Sequence, residues 1–325
     1  MAGAHAGGPT KSLGLVIAAL LFSTSAAAQQ LTPGDFTRTL DVAGVTRTYL
    51  VHVPASYTGQ LEVPLVVDIH GWSATAQIQI ALSHFDLLSN EKGFIVAFPQ
   101  GLNNQFNAGI CCGNQDVDDV GFMRALVAKM KIEAEVDARR VYATGLSNGG
   151  GMSHRLACEA ADLFAAFAPI AFPISISPTS ACQPSRKVPI LTFMGLTDVL
   201  IPYGGGSFPS AATTIAHWRD RNACGTDAYE VHTASGLSYC DIDTSCADGV
   251  HTGLCSITAD SFGGQFFDGH ILYINPDYDI ARVAWDFMAP FSLPAPPAPT
   301  VPALPVGLLA SLAGLLAATG ARFRR

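Results

Sequence analysis

Charged residues are scarce in this 325-residue chain: Asp, Glu, Lys and Arg together make up 14%, and the net charge is −8. The sequence has no basic stripe, which argues against nucleic acid as a partner. Internal repeats are absent, as is a linker that would divide the middle of the chain. Hydrophobic residues make up 49%, enough to bury a large core. The composition therefore predicts one large domain.

Cysteine pairs of the Cys-x2-Cys type, which are typical of structural zinc sites, are missing from the Cys-rich stretch after residue 223. The N-terminus has the features of a secretory signal, namely Lys11, an apolar run over 13–22 and the small residues 26–28. We expect residues 1–28 to be this signal, with a buried helix as the alternative. A signal of this kind predicts a secreted or cell-surface protein. Because the compartment outside the cell is oxidising, we expect the cysteines to form disulfides and not to bind a metal. The disulfide candidates are Cys111, Cys112, Cys158, Cys182, Cys224, Cys240, Cys246 and Cys255.

The C-terminal part of the chain changes in composition. Residues 293–305 form a Pro/Ala-rich linker that cannot pack as a helix. Residues 306–318 are apolar but number about 13, where a membrane span needs roughly 20, and an arginine cluster ends the chain. This order resembles the C-terminal sorting signals of Gram-negative bacteria, which hold a protein at the inner membrane until processing. We expect residues 306–325 to be such a tail, with transient membrane attachment; the alternatives are a simple anchor or a disordered tail.

Between these ends, apolar runs alternate with helical patterns, which predicts a mostly parallel sheet covered on both faces. Four of the five strand candidates are almost continuously apolar, as expected of parallel strands buried on both sides. Active sites of such sheets lie at the carboxyl ends of the strands. The predicted strands are Tyr49–Val53, Leu65–Ile69, Phe94–Phe98, Val141–Thr144 and Ile190–Met194, and the predicted helices His84–Glu91, Gly121–Glu135, Gly151–Cys158, Ala211–Arg221 and Asp279–Met288.

A Gly-x-Ser-x-Gly motif, Gly145 to Gly149, lies between a predicted strand and a predicted helix. A sharp strand-to-helix turn holds the central serine, Ser147, in a strained conformation and exposes its hydroxyl. Side chains at Gly145 and Gly149 would collide with the neighbouring strand and helix. A chance match in a chain rich in glycine and serine is the alternative, so the motif gains weight only with its partners.

A serine nucleophile needs a histidine to take its proton and an acid to orient that histidine. In α/β-hydrolases these residues follow in the order Ser, acid, His. His270, after a strand-like end and a tight turn, fits best, and His251 is the second choice. Asp198 follows the strand that ends near Gly195, and a turn-capping role is its alternative. The other histidines after the serine lie in predicted helices or in the Cys-rich stretch: His154, His217 and His232.

An oxyanion also needs hydrogen-bond donors. We expect one to be the backbone N–H of Asn148, which follows the serine. The second is the N–H of Trp72, because the loop His70-Gly71-Trp72 follows an early strand. His70 precedes Ser147 in the chain and is therefore expected to be structural.

With these pieces assembled, the chain resembles the polyhydroxybutyrate depolymerase and feruloyl esterase family of secreted α/β-hydrolases, from about Thr46 to Phe291. The resemblance implies the α/β-hydrolase fold and the triad Ser147, Asp198 and His270. It is carried by the segments Asp68-Ile69-His70-Gly71-Trp72, Gly93-Phe94-Ile95-Val96-Ala97-Phe98-Pro99, Asn107-Ala108-Gly109-Ile110-Cys111-Cys112-Gly113, Val117-Asp118-Asp119-Val120-Gly121-Phe122, Gly145-Leu146-Ser147-Asn148-Gly149-Gly150, Gly195-Leu196-Thr197-Asp198 and Pro202-Tyr203-Gly204-Gly205.

The chain departs from the family pattern in three places. Phe106 stands where members commonly have Trp, and Met194-Gly195-Leu196 replaces His-Gly-Thr. The histidine lies in Phe267-Asp268-Gly269-His270-Ile271-Leu272-Tyr273 rather than in Gly-Gly-Gly-His-x-Trp-Pro. We expect the loss of the Trp after the histidine to alter the substrate pocket.

Four further expectations concern the cysteines and two acids. Cys158 should pair with Cys182, and the four cysteines after residue 223 should pair among themselves. Cys111 and Cys112 either pair with each other or elsewhere. Of Asp118 and Asp119, one should cap the following helix, the alternative being a bound cation.

The sequence thus predicts a monomeric serine esterase that needs no cofactor. Its expected substrates are a polyester oligomer or a plant cell-wall ester. Only the linker and tail follow Phe291, so soluble oligomers or small esters are favoured over insoluble polyester. The alternatives are a serine peptidase on the same fold and a non-catalytic secreted binding module.

Overall fold

The structure, a computed structural model, describes residues 3, 30–112, 116–226, 228–232, 236–258 and 268–295. Apart from residue 3, the predicted signal (1–28) lies outside these ranges, as do the tail (306–325) and the last residues of the linker. No helix of the described part is long and apolar enough to cross a membrane.

One mixed sheet forms the centre of the described domain. Its strand order is β1-β2-β4-β3-β5-β6-β7-β10-β9-β8. The six strands from β4 to β10 in this order are parallel, and the strands on both sides of them pair antiparallel. The strands are β1 Gly34–Val42, β2 Val45–Val53, β3 Val63–Ile69, β4 Ile95–Pro99, β5 Val136–Leu146, β6 Ala166–Ile170, β7 Ile190–Gly195, β8 Ala228–His232, β9 Tyr239–Asp243 and β10 Thr252–Ile257.

Six α-helices in the described part cover both faces of this sheet. They are α1 Ala76–Ser83, α2 Phe85–Lys92, α3 Asp119–Glu133, α4 Asn148–Glu159, α5 Ala211–Arg221 and α6 Ile280–Met288. Helices α3, α4 and α5 pack on the face that contains Leu65 and Val67. Helices α1, α2 and α6 pack on the face of Val66. Neighbouring residues of β3 belong to different cores because successive side chains of a strand point to opposite faces. The helices on both faces of the sheet confirm the predicted α/β architecture.

Several predicted boundaries were wrong for local reasons. The predicted helix His84–Glu91 is preceded by a second helix, α1, and His84 separates the two in a left-handed conformation with φ 53°. Helix α3 begins at Asp119 because the Asp118 carboxylate accepts the Gly121 N–H at 2.7 Å. Helix α4 begins at Asn148, immediately after Ser147, rather than at Gly151.

Four disulfides are present among the described residues: Cys158 pairs with Cys182 as expected, the four cysteines after residue 223 pair among themselves, and Cys111 pairs with Cys112, one of its two alternatives. Cys158–Cys182 ties α4 to the segment before β7. The other pairs are Cys111–Cys112, Cys224–Cys246 and Cys240–Cys255. Cys224 and Cys246 lie beside Asp243, but their sulfurs are bonded to each other and do not serve as thiolate metal ligands.

Candidate active site

Ser147 occupies a sharp turn between β5 and α4. Its backbone has φ 55° and ψ −116°, a region that non-glycine residues adopt only under strain. The turn needs small neighbours: a Cβ on Gly149 would lie 2.0 Å from the Ile69 carbonyl oxygen, and one on Gly145 would lie 2.5 Å from it. Both positions confirm the predicted requirement for glycine. The serine is therefore held where a strand turns directly into a helix.

Asp198 and His270 meet at the same edge of the sheet. Asp198 follows β7, and His270 follows β10, the parallel neighbour of β7. The His270 Nδ1 lies 2.7 Å from the Asp198 Oδ2. The second carboxylate oxygen accepts the N–H groups of Leu200 and Ile201, each at 2.8 Å. These three bonds fix the carboxylate and, through it, the imidazole.

The approach of these two loops depends on Gly269. Its φ is +75°, and a Cβ there would lie 2.6 Å from the Asp198 backbone nitrogen. A larger residue would therefore push His270 away from Asp198. The strand-like end that the sequence predicts before this turn, over 266–267, lies outside the described residues.

The predicted oxyanion donors lie on either side of Ser147. Trp72 belongs to the loop after β3, and Asn148 is the first residue of α4, where backbone N–H groups have no partner within the helix. Among the described residues neither backbone N–H donates a hydrogen bond to the protein. Both N–H groups are therefore available to a ligand atom.

His70 takes the structural position that its place in the chain predicts. It is fully buried, its Nε2 accepts the Gly101 N–H at 3.0 Å, and its Nδ1 lies 2.8 Å from the Gly71 carbonyl oxygen. One nitrogen accepts and the other donates, which is the pattern of a neutral ring. Burial lowers the pKa of His70 to about 4. The ring therefore stays neutral near pH 7 and supports the loop that carries Trp72.

His251, the second choice for the catalytic histidine, lies at the other end of the sheet from Asp198. It directly precedes Thr252, which pairs with Ile190 at the amino-terminal end of β7. Asp198 lies beyond the opposite end of β7. The structure therefore separates His251 from the acid by the length of the strand.

A cavity of about 560 Å³ contains both Ser147 and His270 in its wall. This volume falls in the range typical of small-molecule sites. The sequence did not indicate the surrounding apolar wall, which includes the vicinal pair Cys111–Cys112 and the side chains Ile78, Leu82, Phe172, Leu200, Phe208 and Ile271. Trp72 stands at its rim with 64% of its surface exposed.

The departure from the family pattern after His270 concerns a buried side chain. Leu272, which replaces the usual Trp, is 2% exposed and belongs to the hydrophobic core. The neighbouring Ile271 lines the cavity instead. The leucine at this position therefore packs in the core, and the expected effect of the missing Trp on the pocket stays a prediction.

The acids Asp118 and Asp119 also have distinct places. Asp118 caps α3, as expected of one of the pair. Asp119 is 1% exposed and forms a 2.6 Å ion pair with Arg47. Its carboxylate is thus neutralised by a protein cation.

Comparison with known proteins shows which family the chain is similar to. Residues 48–187 match the model of the family described as Esterase PHB depolymerase. Feruloyl esterase B of Piromyces equi is 33% identical over 76% of this chain and 46% of its own length. Poly(3-hydroxyalkanoate) depolymerase C of Paucimonas lemoignei is 34% identical over 37% of this chain and 30% of its own. The chain therefore spans less than half the length of these relatives.

A solved structure supports the fold. Acetyl xylan esterase from Aspergillus awamori superposes with a TM-score of 0.60 over 79% of this chain and 99% of its own, at 14% identity. This likeness concerns the fold, which is that of the α/β-hydrolases. Together with the match over residues 48–187, these likenesses support a place for the chain in the Esterase PHB depolymerase family.

Proposed function

We propose that the protein hydrolyses carboxylic esters with Ser147 as nucleophile, His270 as base and Asp198 as the acid that orients the base. The observation that carries the proposal is the 2.7 Å bond between Asp198 and His270 beside a cavity that Ser147 also lines. The feruloyl esterase and depolymerase named among its relatives support the same chemistry.

The reaction follows from the positions of these groups. The Ser147 oxygen attacks the ester carbonyl carbon while His270 takes the hydroxyl proton. The carbonyl oxygen gains negative charge and accepts hydrogen bonds from the N–H groups of Trp72 and Asn148. His270 then gives its proton to the leaving alcohol. Water, deprotonated by His270, hydrolyses the acyl-enzyme and restores Ser147.

The cavity wall favours esters with an apolar part. Ile78, Leu82, Phe172 and Phe208 line the same cavity as Ser147 and would bury an aliphatic or aromatic group. We propose an oligomer of hydroxy acids or a plant cell-wall ester as substrate. A panel of hydroxybutyrate oligomers, feruloyl and acetyl sugar esters, nitrophenyl esters and peptides separates these classes, and preferential cleavage of peptides would contradict the ester assignment.

Ser147→Ala tests the nucleophile. We expect hydrolysis of p-nitrophenyl butyrate to fall at least about 10³-fold, because the acyl-enzyme can no longer form. Labelling by a fluorophosphonate probe should disappear with it. Ser153→Ala is the matched control, since Ser153 lies on α4, is buried and bonds the Gly149 carbonyl oxygen at 3.0 Å. Wild-type hydrolysis by Ser147→Ala would refute the proposal.

We further propose that the protein is exported as a monomer, with residues 1–28 as signal and 306–325 as sorting tail. The four disulfides support an oxidising compartment. Mass spectrometry of the protein recovered from its native cells gives both ends, and light scattering gives the mass in solution. Intact residues 1–28 in the recovered protein would contradict export through this signal.

A further inference from the structure

A short loop that the proposed reaction does not use contacts both sides of the oxyanion site. This loop, here called the clasp loop, comprises Asn104, Gln105, Phe106 and Asn107 and follows β4. The Phe106 N–H donates to the Asn148 side-chain oxygen at 2.8 Å. In return the Asn148 amide nitrogen donates to the Phe106 carbonyl oxygen at 3.0 Å. The side chain of Asn148 thus pairs with one whole backbone unit of the loop.

The same loop also binds the Trp72 side of the site. The Ser73 N–H donates to the Asn104 carbonyl oxygen at 2.8 Å. The Trp72 indole N–H donates to the Gln105 side-chain oxygen at 3.1 Å. The loop that carries Trp72 and the first residue of α4, Asn148, are therefore joined through three consecutive residues.

A buried charge pair fixes the clasp loop from behind. One oxygen of Asp119 accepts the Asn107 N–H at 2.7 Å, and the other accepts from Arg47 at 2.6 Å. Arg47 is 2% exposed, and its guanidinium lies 4.0 Å from the centre of the Phe122 ring. Arg155 donates to the Asn107 carbonyl oxygen at 2.8 Å. The loop is thus bonded on both sides, so its position is set by the core and not by solvent.

Asparagine suits the position after the serine for a chemical reason. A backbone unit offers one donor and one acceptor, and a side-chain amide offers the complementary pair. Aspartate lacks the donor, and an aliphatic residue lacks both. The side chain of Asn148 is also completely buried, so both bonds are shielded from water.

We infer that the clasp loop sets the relative position of the two oxyanion donors, with the Asn148 side chain as its positioning residue. This inference rests on the proposed function. Trp72 and Asn148 come from different elements, and stabilisation of an oxyanion requires both N–H groups to converge on one atom. The clasp loop forms hydrogen bonds both with the loop that carries Trp72 and with the Asn148 side chain, and it thereby fixes the distance between the two donors.

Asn148→Ala tests the inference because it keeps the backbone N–H and removes only the two side-chain hydrogen bonds to the clasp loop. With p-nitrophenyl butyrate we expect kcat to fall roughly 10- to 100-fold while KM stays within about twofold. Misplaced donors stabilise the transition state less well but leave the binding of the substrate in its ground state unchanged. The inhibition constant of butylboronic acid, which forms a tetrahedral adduct with the serine, should rise by the same factor as kcat/KM falls. Ser153→Ala, on the same helix, should keep both values within about twofold.

A second variant removes the other contact. Trp72→Phe deletes the indole bond to Gln105 but keeps the backbone N–H, and the exposure of Trp72 makes loss of folding unexpected. We expect a smaller fall in kcat than for Asn148→Ala and a matching rise in the inhibition constant of butylboronic acid. The double variant should lose less than the product of the two single losses, because both act through one loop.

The outcomes separate the two proposals. The inference about the clasp loop is wrong if folded Asn148→Ala keeps kcat and the inhibition constant of butylboronic acid within about twofold, or if only KM rises. This holds even when Ser147→Ala is inactive. If Asn148→Ala does not fold, unchanged values for Trp72→Phe overturn it. Full activity of Ser147→Ala would instead overturn the proposed function itself.

Discussion

Asp68→Asn should stabilise the protein at pH 8 and have little effect at pH 4. Asp68 lies near the end of β3, is fully buried, and accepts a hydrogen bond from the Gln79 amide at 2.7 Å. Burial raises the pKa of Asp68 to about 7, and the interactions with the Ser83 and Gln79 side chains offset only part of that rise. The carboxyl is thus harder to ionise in the folded protein than in the unfolded chain.

The size and sign of the effect follow from this pKa. The rise from 3.8 to about 7 is roughly three units, and each unit corresponds to about 1.36 kcal/mol, giving on the order of 4 kcal/mol. Between about pH 4 and pH 7 the folded protein binds more protons than the unfolded chain, so the free energy of unfolding falls as pH rises. The stability is fully present below the unfolded pKa and is lost as pH rises through the folded pKa. Asparagine does not titrate and resembles the protonated carboxyl, so the variant escapes this loss.

Equilibrium unfolding in guanidinium chloride from pH 4 to pH 8, followed by tryptophan fluorescence, measures the difference. We expect the gain from Asp68→Asn to be near zero at pH 4 and to grow to a few kcal/mol at pH 8. All other ionisable groups are shared by the two proteins and cancel. Asp220→Asn, an exposed position on α5, is the control and should show no such growth. A difference that stays constant across this range would refute the reasoning about Asp68.

Two further predictions concern stability. Asp119→Ala should lower the free energy of unfolding by about 3–5 kcal/mol, because it leaves Arg47 buried without its partner; a loss below about 1 kcal/mol in denaturant unfolding would contradict the buried pair. Replacing Cys158 and Cys182 together by serine should cost about 2–4 kcal/mol, because the bridge closes a segment with a sequence separation of 24. A melting temperature equal to that of the wild type would count against this bridge.

The sequence predicted best what is encoded locally. The parallel strands at the centre are buried on both faces, so their apolar runs are continuous, and α5 has the predicted bounds Ala211–Arg221. The turn at Ser147 also follows from a short motif, because its two glycines face the Ile69 backbone. These features depend on neighbours along the chain or on burial, and both leave a pattern in the sequence.

Elements whose pattern is weak or mixed were missed. Strand β1 alternates between intermediate and exposed residues along its whole length, so it has no continuous apolar run. Strand β6 contains Pro169, which usually argues against an inner strand, yet it pairs with both β5 and β7. Hydrogen bonding to adjacent strands, β2 for β1 and both β5 and β7 for β6, decided both cases over local preference.

The contacts that define the pocket have still less trace in the sequence. Asn148 and Phe106 are 42 residues apart, and Cys111 and Leu82 reach one cavity from separate loops and helices. A motif marks a residue whose chemistry has few alternatives, such as a nucleophile or its base. Many apolar side chains can fill a wall position, so the wall has no comparable signature. The motifs therefore predict the reaction. We expect the choice of substrate to depend on the side chains of the cavity wall, such as Ile78, Leu82 and Phe208, and the hydrolysis panel is the measurement that tests this.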